Sequence, residues 1–63
     1  MDLTRLKEYR ESKGLTQVQV AKALKVSLMT YRIWEMGGGA PNRVNYENLK
    51  ALFLPFTDEM EKE

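Results

Sequence analysis

The chain has 63 residues, with ten lysines and arginines against nine acids and neither cysteine nor histidine. A domain this short buries only about 60% of the surface its unfolded chain exposes, so its core must be economical. The missing Cys and His argue against a disulfide framework, a thiolate metal site and the commonest acid/base group near neutral pH, so no catalytic residue, metal or cofactor is expected.

No apolar run approaches the roughly 18 residues that span a membrane. The start, MDLTRLKEYR, carries charges where a signal peptide needs an apolar stretch. These features predict a soluble, cytoplasmic protein with no membrane partner. Residues 1–50 hold nine Lys/Arg against five Asp/Glu, a balance of +4, and residues 51–63 hold one against four, a balance of −3. A mildly basic body with an acidic tail is compatible with a polyanion partner, and equally with none.

In chain order, Asp2 is a good cap for a first helix whose apolar positions Leu3, Leu6 and Tyr9 precede a stop at Gly14. Thr16-Gln17-Val18-Gln19 is a capping box that opens a second helix, Gln17 to about Leu24, with Val20, Ala21 and Leu24 on one face. Lys25-Val26 is a very short connection, and Ser27 caps a third helix that ends at Met36 before Gly37. Two helices joined so tightly must cross steeply, which is the helix-turn-helix arrangement. Gly37-Gly38-Gly39-Ala40-Pro41 reads as a loop; no strand precedes it and no Lys-Ser/Thr pair follows, so it is not a nucleotide-binding loop. Asn45 is expected to cap a fourth helix, Tyr46 to about Phe53, and Thr57 to open a short fifth one after Pro55, with Asp58 and Glu59 in its first turn. The prediction is an all-α, compact five-helix domain with residues 1–63 as a single unit.

On the third helix, Tyr31 and Trp34 should point inward against Val20, Ala21 and Leu24. The same period puts Leu28, Met29, Arg32, Ile33 and Met36 on the other side, the face such a motif presents to the major groove. The run LTQVQVAKALKVSLMTYRIWEMG, residues 15–37, resembles the Cro/repressor-type helix-turn-helix family of phage and bacterial transcriptional regulators. LKEYRESKG before it and, more loosely, NYENLKALF and TDEM after it extend the likeness over nearly the whole chain.

The resemblance implies a repressor-like domain that binds double-stranded operator DNA, commonly as a homodimer on a two-fold-related site, with no small-molecule substrate. It implies that Gln17 bonds a phosphate and that Met29, Arg32 and Ile33 reach base edges, with Leu28 and Thr30 at the margin. Lys13, Lys22, Lys25, Ser27, Arg43 and the amides around Gly37 and Gly38 are the further candidates for backbone contacts. Arg43 has the alternative reading of a solvated surface residue, and Val44 and Tyr46 of either dimer contact or ordinary core. Arg10 and Glu35 fall where relatives often form an interhelical ion pair, read here as structural rather than as a phosphate-binding Arg10.

Two departures stand out. Lys25 occupies a turn position where relatives usually carry glycine, at a cost of roughly 1–2 kcal/mol if the left-handed conformation is retained. The groove-facing positions, polar in relatives, are here mostly apolar, with only Thr30 and Arg32 able to make strong directional bonds. That stripe supports two readings: thymine-methyl contacts in DNA, or a protein-interaction module of antitoxin-like or regulator-binding type. The clustered carboxylates at the end of the chain look like a solvated acidic terminus and give no basis for an enzyme.

Overall fold

The computed structural model describes residues 1–55 and 57. Their regular structure is four α-helices, α1 (Leu6–Ser12), α2 (Gln17–Leu24), α3 (Leu28–Met36) and α4 (Arg43–Leu52), preceded by a 3-10 turn at Leu3–Arg5. No helix among the described residues is long and apolar enough to cross a membrane.

Asp2 caps the first turn as its position predicts, but the turn it starts is a 3-10 turn. Its carboxylate accepts from the Thr4 amide at 2.9 Å and from the Thr4 hydroxyl at 2.6 Å. The Arg5 amide then closes on the Asp2 carbonyl at 3.1 Å, an i to i+3 bond, so the α-helix proper begins at Leu6.

Three of the helix ends are built alike. At Gly14 (φ +69) the Gly14 amide donates to Glu11 and the Leu15 amide to Arg10. At Lys25 (φ 58, ψ 40) the Lys25 amide donates to Lys22 and the Val26 amide to Ala21. At Gly37 (φ 78) the Gly37 amide donates to Trp34 and the Gly38 amide to Ile33. Each left-handed residue thus satisfies two carbonyls that the helix end leaves open. The starts are equally local: the Thr16/Gln19 capping box is closed in both directions, at 3.1 and 2.8 Å, and the Ser27 hydroxyl accepts from the Thr30 amide at 3.0 Å.

The fourth helix corrects the sequence expectation. Asn42, rather than Asn45, is the cap: its side-chain oxygen accepts from the Asn45 amide at 2.9 Å. The helix therefore starts three residues earlier, and Arg43 and Val44 belong to its first turn instead of the preceding loop. Both asparagines suit a cap; a contact distant in sequence accompanies the choice, since the Tyr46 hydroxyl on α4 accepts from the Met1 amino group at 2.8 Å. The expected fifth helix lies outside the described residues apart from Thr57, which is buried and whose hydroxyl donates to the Lys50 carbonyl at 3.0 Å.

The core gathers Leu6 and Tyr9 from α1, Val20, Ala21 and Leu24 from α2, Tyr31 and Trp34 from α3, and Leu49 with Phe53 from the end of α4. Helix α3 packs on α2, on α1 and on the N-terminal turn. Its two rings meet edge to face, centroids 6.1 Å apart at 79°, and Tyr9 lies 5.9 Å from Phe53. With one side of α3 anchored so firmly, the direction of its other side is fixed.

Candidate nucleic-acid interface

The short connection after α2 presents α3. Lys25 sits near the centre of the left-handed region open to residues with a side chain. It retains the backbone conformation that glycine supplies at the other two ends, and its side chain is exposed. Ser27 follows at the start of α3; its hydroxyl accepts from the Thr30 amide and donates to Thr30 Oγ1 at 2.8 Å. The Thr30 hydroxyl proton therefore remains available to an outside acceptor.

Beyond that cap the outward side of α3 is uneven. Met29 is 67% exposed and Met36 75% exposed. Arg32 is also exposed, whereas Leu28, Thr30 and Ile33 are half-buried. Ile33 leans on the loop that follows the helix: a β-carbon added at Gly38 would lie 3.4 Å from Ile33 Cγ2, and one added at Gly39 would lie 3.3 Å from it. An added β-carbon would thus make ordinary contact at Gly38 and crowd the isoleucine at Gly39, a proximity that no spacing rule in the sequence announced.

On the inner side Glu35 is the centre of a polar cluster. Arg10 Nε and Nη2 donate to its two oxygens at 2.6 and 3.3 Å, and Arg10 Nη1 donates to the Leu15 carbonyl at 2.9 Å. Gln17 Nε2 donates to Glu35 Oε1 at 3.0 Å. The ion pair is largely withdrawn from water, with side-chain exposures of 12% and 6%. Burial by itself opposes ionisation of Glu35, but the hydrogen bonds from Arg10 and Gln17 and the positive charge of Arg10 outweigh it and hold the carboxyl below the usual carboxylate range. The buried Tyr31 hydroxyl has no hydrogen-bond partner among the described residues. Burial first, and the nearby Glu35 carboxylate second, push its pKa above that of an ordinary tyrosine.

This cluster changes the reading of two groups. Gln17, expected at a phosphate, spends one of its two amide protons on Glu35 and keeps the other. The Gly37 and Gly38 amides, expected to face a phosphate, already donate to Trp34 and Ile33. Lys13, Lys22 and Arg43 are exposed. Among the described residues no group of His, Cys, Asp or Glu side chains is placed to hold a metal ion.

Glu35 also decides the electrostatics. From Thr16 to Gly39 the charged residues are Lys22, Lys25, Arg32 and Glu35, and the only acid among them is turned inward onto Arg10. Every charge this motif shows to solvent is positive, which suits a polyanion and disfavours an acidic protein surface less than a basic one.

No curated protein and no solved structure matches the chain. A family model described as helix-turn-helix matches residues 6–53, which takes in all four α-helices, the turn at Lys25 and the Arg10–Glu35 pair. The chain belongs to the Cro/repressor-type helix-turn-helix family of DNA-binding transcription regulators.

Proposed function

We propose that this chain is a sequence-specific regulator of the Cro repressor type, that α3 enters the major groove of operator DNA, and that two copies bind a two-fold-related site. The observation that carries this reading is that every charge residues 16–39 show to solvent is positive, on a motif whose α3 has one side outward. Arg32 is the strong polar reader, suited to a bidentate contact with guanine, and Met29 and Ile33 with Leu28 are the apolar readers. Thr30 has its hydroxyl proton to offer at the margin. Lys13, Lys22, Lys25, Arg43, Ser27 and the second amide proton of Gln17 grip the backbone. In this role the Arg10–Glu35 pair is structural, and Glu35 sets the direction of Gln17. Val44, 68% exposed on α4, is the candidate for the contact between copies; Tyr46 is already tied to Met1.

Selection from a random DNA library at two salt concentrations tests the proposal. Recovery of a paired half-site motif, with affinity falling steeply with salt, is the expected result. A second reading has its own observation: Met29, Met36 and Val18 (44%) leave large apolar side chains in water, as a protein-docking surface would. Under that reading no motif is recovered, and binding to the protein partner is almost independent of salt.

A further inference from the structure

We infer that α3 reads the C5 methyl group of pyrimidines through Ile33, so that the domain distinguishes a methylated pyrimidine, thymine or 5-methylcytosine, from an unmethylated one. This rests on the DNA reading proposed above and says what that site recognises.

In the major groove each base edge offers hydrogen-bond donors, acceptors or, at thymine alone among the unmodified bases, a methyl group. An alkyl side chain pressed on a donor or acceptor strips its water and returns nothing, which is unfavourable. The same side chain on a methyl group buries apolar surface on both partners. With Arg32 as the one charged reader, the apolar residues of the outer face gain binding energy only where the DNA supplies methyl groups. The exposed positive charges of Lys22, Lys25 and Arg32 in the same motif make a polyanion the matching occupant.

Ile33 is the best fixed of these residues. A β-branched side chain in a helix has one strongly preferred rotamer, and the Gly38–Gly39 loop lies beside its Cγ2, close enough that a β-carbon added at Gly39 would crowd it at 3.3 Å. Half-buried in this way, it offers a surface set in place before DNA arrives, and little side-chain entropy is lost on contact. Met29, one helical turn earlier, is 67% exposed, and its flexible thioether adapts to whatever lies beside it. The dependence on methylation therefore belongs to Ile33, with Gly39 as a positioning residue.

The test uses the full chain and the operator recovered by selection. Each thymine is replaced in turn by deoxyuridine, which removes the methyl and nothing else. At the position facing Ile33 affinity falls about fourfold, the loss for one buried methyl group. There, a 5-methylcytosine·guanine pair binds about fourfold tighter than cytosine·guanine. Ile33→Ala brings both ratios to one, and Gly39→Ala, which displaces the isoleucine, reduces them. Because the methyl is removed from the DNA, the deoxyuridine result does not depend on a variant folding. Tight, Arg32-dependent binding with a ratio of one at every thymine overturns this inference and leaves the proposed function standing. Failure to bind any DNA overturns both.

Discussion

The two sides of α3 are made from similar materials and do opposite work. Inward, Tyr31 and Trp34 are buried and Glu35 holds Arg10 and Gln17 in a cluster shielded from water. Outward, Met29 and Arg32 are exposed and Ile33 is half-buried beside the Gly38–Gly39 loop. Both sides combine large apolar groups with one charged residue. The difference is completion: each inner charge has its partner within the chain, whereas Arg32 and the outer alkyl groups remain presented to an outside surface. A residue's type is thus a poor guide to its role here, and its place on the helix is a good one.

The largest effect that would break this contrast comes from the inner side. Trp34→Ala should cost about 3–5 kcal/mol, comparable with the roughly 3–9 kcal/mol expected for a domain this size. Its cooperative thermal melt should vanish, whereas Met29→Ala should shift stability by no more than about 0.5 kcal/mol. An equal loss from both would mean that Met29 is a core residue.

Next comes Glu35→Ala, which strands Arg10 in a site shielded from water and should cost about 3 kcal/mol. The pH dependence follows from the lowered pKa of Glu35. Its contribution is fully present above the carboxyl's unfolded value of about 4.5, and is lost as pH falls below that value and through the lower folded one. Urea midpoints measured between neutral and strongly acidic pH should show this decline in the natural chain and a flatter profile in the variant. Identical profiles would argue that the pair contributes nothing.

Arg32→Ala sharpens the outer side. Affinity for the selected operator should fall by about 1–3 kcal/mol and specificity at one base pair should relax, with the melt unchanged. Unaltered binding would remove Arg32 as a reader.

The smallest effect concerns Lys25. Lys25→Gly relieves left-handed strain but adds unfolded-state entropy, for a net stabilisation of about 0.5–1 kcal/mol. If the ammonium sits on a phosphate, the slope of log affinity against log salt should also shrink by about 0.9. Stabilisation without a change in slope would make Lys25 a bystander in binding.

Much of the frame was legible because helix ends are local events. The Thr16–Gln19 box, Ser27, Gly14 and Gly37 each act within a few residues of themselves, so α1 ends, α2 begins, and α3 begins and ends where their neighbours in the chain say they must. The fourth helix was misplaced by three residues because Asn42 and Asn45 are equally good caps by local criteria. The inward direction of Tyr31 and Trp34 followed from period and size. The bond from Gln17 to Glu35, 18 positions away, had no such signal. Nor had the amides of Gly37 and Gly38, which the sequence left open to a ligand and the fold uses to close α3.

By itself the sequence determined the helical class, the abrupt turn at Lys25-Val26 and the family pattern, since caps, breakers and the 3.6-residue period act over a few bonds. Only the tertiary structure decided that the acid in this motif is hidden, that Gln17 has one proton left to give, and that Ile33 is half-buried beside a glycine loop. Those outcomes depend on which distant groups arrive at the same place, and electrostatics and packing are set by distance in space.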